Sequence, residues 1–357
     1  MRGRRQGLWL ACLIAAAGSL RGETPYAGSK SCAACHPAQF QRQSASAHAA
    51  ALFRTRDHPL ADAFLKAGKL ERKPGYRFEF FLSDGLRTRI HDAVDVMELP
   101  MEWAFGSGAQ AVTFVTKVNQ DWYVEHYATY YSALHAWGPT PGQADLHPAS
   151  LPEAAGLLYK TLDPATGIAG CFECHSTGPL SFTPTGDARP TELGVTCETC
   201  HDAGAAHGKN PRRSAMQNPA KLSAAQLNEF CGRCHRPPAA KGVEIDWNYA
   251  WNVRHQPVYL SQSACFRKSG GALSCLTCHD PHEAAGSKPA ADYNARCHRC
   301  HSIVKAVCRQ QTLANCIDCH MPSVSPQSPL RFTNHWIGVY GDGAKLKPDR
   351  RISGIRH

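Results

Sequence analysis

Alternating apolar and polar residues predict two β-hairpins in the first half of the chain. The run YRFEFFLSDGLRTRI alternates on either side of Asp84-Gly85, a dipeptide typical of a tight hairpin turn. The run AVTFVTKVNQDWYVEHYATYY alternates in the same way about Asn119-Gln120. Both runs fall within residues 69–165, a stretch without cysteine. We therefore predict a small β-hairpin insert at 69–165.

The N-terminal residues have the pattern of a secretory signal peptide. Arg2, Arg4 and Arg5 precede an apolar run from Leu8 to about Leu20. We predict a signal peptide at residues 1–22 and a periplasmic, extracellular or cell-surface location. No other stretch approaches the roughly 20 apolar residues of a membrane-spanning helix. We expect membrane contact to be peripheral only, or to be made through an uncleaved signal.

The string Cys-x-x-Cys-His occurs seven times, far more often than chance allows. It is the attachment signal for c-type haem, in which two thiols form thioethers with the porphyrin and the histidine ligates the iron. We predict seven covalent haem c groups. The cysteines are Cys32 and Cys35, Cys171 and Cys174, Cys197 and Cys200, Cys231 and Cys234, Cys275 and Cys278, Cys297 and Cys300, and Cys316 and Cys319; the histidines are His36, His175, His201, His235, His279, His301 and His320.

Zinc binding and dithiol redox chemistry account less well for the paired cysteines. Zinc sites use pairs of Cys-x-x-Cys, but they do not need a histidine directly after each second cysteine. A thioredoxin-like dithiol is expected as a single Cys-x-x-Cys beside a βαβ pattern, which this sequence lacks. Only haem attachment explains all three residues of every copy.

The charge and the length agree with a core built largely from cofactor. The formal charge is +10, but four arginines belong to the predicted signal and each haem adds two propionates, so we expect no nucleic-acid partner. Fewer than about fifty mature residues remain for each haem, so the porphyrins must supply much of the buried apolar surface. We predict a mainly α and irregular, haem-packed multihaem cytochrome fold.

The motifs divide the remaining chain into three predicted segments. Residues 23–68 carry haem 1, and residues 166–240 carry haems 2 to 4. Residues 241–357 carry haems 5 to 7 and a C-terminal tail.

The second ligand of each iron decides whether the iron carries electrons or binds small molecules. The chain has five methionines and twelve histidines outside the motifs. We therefore expect bis-histidine coordination at most of the haems.

Several segments carry a resemblance to a known family. CETCHDAGAAH, LSCLTCHDPH, CIDCHMP followed by FTNHWI, and CAACHPAQFQRQSASAHAAAL resemble the multihaem cytochromes of the cytochrome c-554 and hydroxylamine-oxidoreductase-like superfamily, including its doubled-motif members. The resemblance implies that His48, His207, His282 and His335 are distal iron ligands. His255, in VRHQPVYL, and His126, in VEHYATYY, lie in stretches similar to family segments and are the next candidates.

This chain departs from two groups of relatives. Every motif ends in histidine, so the lysine-ligated catalytic haem typical of ammonia-forming nitrite reductases has no counterpart. Seven motifs are one fewer than octahaem hydroxylamine oxidoreductases have. The resemblance therefore assigns no catalytic residue.

Two functions from different classes follow from these features. The first is electron transfer, as in anaerobic respiration, between a quinol-side donor and a terminal acceptor or reductase, with redox proteins as partners. The alternative is a multihaem oxidoreductase acting on a small nitrogen or sulfur oxyanion at one five-coordinate haem. Its acid and base groups would then be expected near Tyr127, Tyr130, Tyr131 and His126 or His135, although packing within a strand also explains this cluster.

Three cysteines lie outside the motifs. Cys12 belongs to the predicted signal, which leaves Cys265 and Cys308. An exported compartment favours the oxidation of spare thiols, so we predict a Cys265–Cys308 disulfide. Two separate buried thiols are the alternative.

Overall fold

The computed structural model describes residues 25–163, 167–236, 244–301 and 315–349. The predicted signal peptide and Cys308 lie outside these ranges, so the signal and the Cys265–Cys308 disulfide stay predictions. Within the same ranges, no helix combines the length and the apolar character that crossing a bilayer requires.

The described helices are short, and many of them carry a Cys-x-x-Cys-His motif. The longest is α8, with 12 residues, and a capping box of Ser223 and Gln226 begins it. The helices are α1 Ser29–Cys32, α2 Pro37–Ser44, α3 Ala61–Lys66, α4 Leu151–Ala155, α5 Ala169–His175, α6 Cys197–His201, α7 Ala205–Lys209, α8 Ala224–His235, α9 Gln256–Gln262, α10 Ala264–Lys268, α11 Cys275–Cys278, α12 Ala290–His298 and α13 Cys316–His320.

The described strands form four antiparallel sheets. The larger sheet has the order β1-β6-β7-β8-β10, with β9 also paired to β8, and the smaller sheet has the order β2-β3-β4-β5. Two further pairs are β11-β12 and β13-β14. The strands are β1 Leu52–Arg54, β2 Leu70–Arg72, β3 Tyr76–Leu82, β4 Leu86–His91, β5 Val96–Pro100, β6 Trp103–Phe105, β7 Ala111–Lys117, β8 Trp122–Tyr131, β9 Ala136–Pro139, β10 Gly156–Lys160, β11 Ser176–Phe182, β12 Ala188–Leu193, β13 Ser323–Val324 and β14 Phe332–Thr333.

The predicted fold class is therefore only partly confirmed. The helices are short and much of the chain is irregular, as predicted, but the sheets are substantial and not limited to small hairpins. The reason is physical: residues 69–165 contain no attachment site for a porphyrin, so this stretch must bury its own side chains. Nine strands between Leu70 and Lys160 do so.

Both predicted hairpins form at the expected turns. In the first, Leu82 of β3 pairs with Leu86 of β4. Asp84 and Gly85 have φ values of 52° and 102°, the left-handed conformation that a tight hairpin turn requires. In the second, Lys117 of β7 pairs with Tyr123 of β8.

The larger sheet supports the helix that carries the second motif. Trp103 and Phe105 of β6 meet Phe172 of α5 edge to face, with ring centroids 5.1 and 5.0 Å apart. Leu52 and Ile168 are fully buried in the same cluster. Burying each large apolar side chain of this kind stabilises the folded protein by on the order of 1.5–3 kcal/mol. The insert thus fixes the position of α5.

A buried polar pair lies inside the larger sheet. The Thr116 hydroxyl donates to the carbonyl oxygen of Pro100 at 2.6 Å, so its oxygen accepts from Nε2 of His126 at 2.8 Å. His126 is 1% exposed, and its Nδ1 atom has no hydrogen-bond partner in the described residues. Burial lowers the pKa of His126 to about 4, so the imidazole is neutral in the folded protein at neutral pH.

The burial of His126 predicts a specific loss of stability in acid. The unfolded chain takes up a proton near pH 6.5, whereas the folded chain does so only near pH 4. The contribution of His126 to stability should therefore fall by roughly 3 kcal/mol as the pH drops from about 6.5 to 4, and level off below that window. His126→Leu should remove this one contribution and so weaken the acid dependence measured by urea unfolding followed by circular dichroism.

Exposed His147 provides the matched control. The His147→Gln variant should keep the acid dependence of the unmodified protein. If His126→Leu kept it as well, the buried imidazole would not be its source.

Candidate functional site

All seven Cys-x-x-Cys-His strings lie in the described residues, and each forms a turn of helix. The backbone N–H of His36 donates to the carbonyl oxygen of Cys32 at 2.9 Å, and His301 and His279 make the same bond to the first cysteine of their motifs at 3.0 Å. Residues three apart lie on one face of a helix, so the two thiols of a motif emerge side by side. This is the local geometry that attachment to one porphyrin requires.

Backbone carbonyls fix the tautomer of three motif histidines. Nδ1 of His175 lies 3.0 Å from the oxygen of Ala51, and Nδ1 of His201 lies 2.9 Å from the oxygen of Gln217. His320 makes the equivalent contact to Gly338 at 2.8 Å. A carbonyl oxygen only accepts, so Nδ1 must carry the proton. The lone pair of each ring then stands on Nε2, where a metal can bind it.

Three of the distal candidates show the same arrangement. Nδ1 of His207 lies 2.7 Å from the oxygen of Ser214, and Nδ1 of His335 lies 3.0 Å from the oxygen of Thr333. Nδ1 of His282 bonds a carboxylate instead, Oδ1 of Asp280, at 2.9 Å. Carboxylate oxygens also only accept. Each of these rings therefore also carries its lone pair on Nε2.

Three motif histidines each face a second histidine ring at nearly the same separation. The pairs are His48 with His235 at 6.1 Å between ring centroids, His201 with His282 at 6.2 Å, and His279 with His335 at 6.2 Å. A metal bonded to an imidazole nitrogen on each side at about 2.0–2.1 Å puts the two ring centres about 6 Å apart. The ring separation in each pair thus fits an iron bound between two imidazoles.

Metal binding requires a neutral imidazole, and burial favours the neutral form of three rings in these pairs. Burial lowers the pKa of His235 and of His279. It also lowers the pKa of His335 to about 4, with a further contribution from His279. His255, at the start of α9, has its pKa lowered to about 4 by burial and by the guanidinium groups of Arg236 and Arg254.

Other histidines are not brought into such pairs. Within the described ranges, no histidine ring faces His36, His175, His301 or His320 at a comparable separation. His255 and His207 likewise have no facing ring there, so their assignments stay predictions.

Two buried histidines use the nitrogen that a metal would need. The backbone N–H of Leu60 donates to Nδ1 of His58 at 3.0 Å, so Nε2 is protonated and donates to the oxygen of Gly106 at 3.1 Å. His58 has no lone pair left for iron. The sequence also predicts His126 as a ligand, but its Nε2 is bonded to Thr116 inside the larger sheet. We therefore leave His126 out of the ligand set proposed below.

The tyrosine cluster of β8 is part of the hydrophobic core. Tyr130 and Tyr131 are 1% exposed, and Tyr127 is 6% exposed. The Tyr131 hydroxyl donates to the oxygen of Pro139 at 2.6 Å, and burial raises its pKa to about 12. Tyr130 packs against Phe64 with ring centroids 5.2 Å apart. These contacts favour strand packing over acid–base catalysis for the cluster.

Thiols from different motifs lie close enough to influence one another. Cys234 and burial raise the pKa of Cys174, and Cys231 and burial raise the pKa of Cys275. Burial and Cys32 raise the pKa of Cys197. Burial, Cys316 and Cys278 raise the pKa of Cys297. The first motif therefore adjoins the third, and the second and fifth both adjoin the fourth. The sixth adjoins the fifth and the seventh.

Sequence reasoning missed the residues that support the rings. Asp280, inside the segment LSCLTCHDPH, is bonded to His282, and Arg42 of α2 reaches Asp280 at 3.1 Å. The Asp-x-His spacing was the available signal for the first contact. Nothing local predicts the second, which joins residues far apart in the chain.

Comparisons with known proteins give one family match and two similar solved structures. Residues 148–202 match the family described as cytochrome c554 and c-prime. The chain is also similar to the solved structure of the outer cell wall cytochrome OcwA, with 16% identity, a TM-score of 0.50, and coverage of 88% of this chain and 80% of that one. The resemblance to multihaem c-type cytochromes is confirmed. At this identity, the likeness to OcwA shows a shared fold.

A second solved structure is a more distant match to this chain. The undecahaem cytochrome from the S-layer of Carboxydothermus ferrireducens has 19% identity and a TM-score of 0.42, with coverage of 77% of this chain and 42% of that one. No curated protein matches the chain.

The ring pairs predict the effect of removing one distal histidine. His335→Ala should convert one iron from low spin to high spin, because the ring that faces His279 is lost. The thioethers should hold every haem in place, so the intact mass should change only by the substitution. Electron paramagnetic resonance of the oxidised protein measures the spin state.

His58→Ala is the control, since the ring nitrogens of His58 are both occupied by protein partners. It should lower thermal stability and leave every iron in its original spin state. An unchanged spin state in His335→Ala would remove His335 from the ligand set.

Proposed function

We propose that this chain is an exported heptahaem c-type cytochrome that transfers electrons through closely spaced, mostly bis-histidine haems. The observation that carries the proposal is the set of three facing histidine pairs, all with ring centroids 6.1–6.2 Å apart. Each pair joins a motif histidine to a histidine from another part of the chain. Such pairs are the donor set of an iron with no open position.

The residues that would hold the cofactor are the two cysteines and the histidine of each motif. His48, His282 and His335 would supply the second ligand opposite His235, His201 and His279. His207 and His255 are proposed as second ligands of irons whose motif histidine has no facing histidine ring in the described residues. Haem c, when bound, supplies a one-electron couple between ferric and ferrous iron.

The side chains around these sites hold the rings still during a change of charge. The bonds from Nδ1 to carbonyl oxygens fix the orientation of His175, His201, His207, His320 and His335. A fixed ligand set changes little between the two oxidation states, so little reorganisation opposes the transfer of an electron. A second histidine also excludes small molecules from the iron.

The contacts between motifs support movement of electrons along the chain of sites. Tunnelling rates fall exponentially with the gap between centres, so adjacent attachment sites favour transfer. The thiol contacts connect the first, third, fourth, fifth, sixth and seventh motifs in that order, with the second beside the fourth. We propose this as the spatial order of the haems.

The proposed location is outside the cytoplasm. Its support is the predicted signal peptide and the fold shared with OcwA, which is named an outer cell wall cytochrome. The proposed partners are redox proteins, one on the side of a quinol donor and one leading to a terminal acceptor or reductase.

Intact mass and redox titration test the function directly. The mature protein should keep seven haems after acid denaturation and accept seven electrons. It should show little binding of carbon monoxide after reduction, because histidines fill the second positions. A stoichiometric high-spin signal with tight carbon monoxide binding would favour the oxidoreductase alternative over electron transfer.

The double variant Cys171→Ala with Cys174→Ala, which leaves no thiol to form a thioether, is the matched variant for the haem count. It should lose attachment at the second motif and destabilise the neighbouring fourth motif, whose Cys234 contacts Cys174. Cys265→Ala lies outside the motifs and should keep seven haems. If both variants kept seven, the assignment of the motif thiols would fail.

A further inference from the structure

The acceptor that faces Nδ1 is different for one proposed ligand. His175, His201, His207, His320 and His335 all donate to neutral backbone carbonyls. His282 donates to the carboxylate of Asp280 at 2.9 Å. The same Oδ1 atom also accepts the backbone N–H of His282 at 3.0 Å. Asp280 therefore fixes both the backbone and the ring of this residue.

The carboxylate is itself held by a cation from another segment. Oδ2 of Asp280 lies 3.1 Å from the guanidinium of Arg42 in α2, which also reaches Oε1 of Glu283 at 3.0 Å. Lys288 holds the other oxygen of Glu283 at 3.2 Å. Asp280 and Glu283 are similarly half-buried, with side chains 27% and 26% exposed. They differ in one respect: Asp280 bonds His282, whereas Glu283 bonds only cations.

A carboxylate acceptor changes the ring electronically. It draws the Nδ1 proton towards itself, which increases the electron density on Nε2 and makes the ring a stronger donor. A stronger donor stabilises ferric iron more than ferrous iron and lowers the reduction potential. A backbone carbonyl has the same effect to a smaller extent, because it carries no net charge.

We propose that Asp280 is a positioning residue that lowers the reduction potential of the site between His201 and His282. The inference rests on the proposed function, since it takes these two rings as the ligands of one iron. Asp280 does not touch the iron and acts through the ring of His282. The site then holds its electron less tightly than the same pair of ligands would with a neutral acceptor.

The angle between the two rings gives the site its own spectroscopic signature. The planes of His201 and His282 are nearly parallel, at 7°, compared with 66° for His48 and His235 and 34° for His279 and His335. Parallel imidazole planes split the iron d orbitals that accept π density more strongly than crossed planes do. We therefore expect a rhombic low-spin signal from this site, and the rhombic component that His282→Ala removes reports the potential of this haem.

The test is a redox titration of the full mature protein, followed by the rhombic electron paramagnetic resonance signal. Asp280→Asn keeps an oxygen that can accept from Nδ1 but removes the charge. We expect the preference of the site for ferric iron to fall about tenfold, which corresponds to a rise in potential of about 59 mV for one electron. The other haems should move much less.

Glu283→Gln is the matched control, because it removes the same charge beside the same Arg42 without touching His282. A clearly smaller shift in Glu283→Gln supports the proposal. Equal shifts in the two variants would assign the effect to general electrostatics and overturn it, as would no shift in Asp280→Asn. If Asp280→Asn assembles poorly, Asp280→Glu is the second variant. It keeps a carboxylate, so the potential of the site should stay close to that of the unmodified protein. A large rise in that potential would also count against the proposal.

The ligand assignment is tested separately by His282→Ala. Loss of the rhombic signal in that variant supports the site itself. A rhombic signal of unchanged intensity would overturn the ligand pair, and with it this part of the proposed function, whatever Asp280→Asn shows.

Discussion

The position of one proton on each imidazole is the constraint on which the proposed sites depend. A histidine can offer Nε2 to a metal only when its proton stands on Nδ1. At six of the proposed ligands the chain meets this condition with acceptor-only oxygens, such as that of Ala51 for His175 and that of Gly338 for His320. The same rule explains why His58 is different, since a backbone donor faces its Nδ1. Burial alone does not separate the proposed ligands from core histidines, but the direction of the hydrogen bond at His58 does.

Local sequence signals predicted the local structure well. The turn at Asp84-Gly85 and the seven attachment motifs are each encoded within a few residues, and the structure forms a hairpin at the first and a helical turn at every motif. The extent of the sheets was missed because β1 and β10 pair with strands distant in sequence, β6 and β8. Their alternation is too short to stand out over three to five residues. The resemblance named His48, His282 and His335, but their partners come from tertiary structure.

The stretch from His48 to Ala51 shows how the β-rich part and the motifs are joined. The oxygen of His48 accepts from Val195 at 2.8 Å, and the oxygen of Ala51 accepts from Gly106 of the insert at 2.8 Å and from the ring of His175. Gly194 has φ of 77°, and a Cβ there would collide with the carbonyl of Ala49. One short segment thus links the larger sheet to the second and third motifs. A substitution in the insert that shifts this segment would therefore also shift the residues that position those motifs.

The facing rings separate two events in the maturation of the protein. Attachment through a Cys-x-x-Cys-His turn needs only five consecutive residues and can occur on an unfolded chain. Closure by His48 over the site of His235 needs the first and fourth motifs to meet, which happens only when tertiary structure forms. Attachment shifts the visible absorption once, and binding of the second histidine would shift it again at the moment of folding. The colour of this protein would then serve as an internal gauge of whether its distant segments have come together.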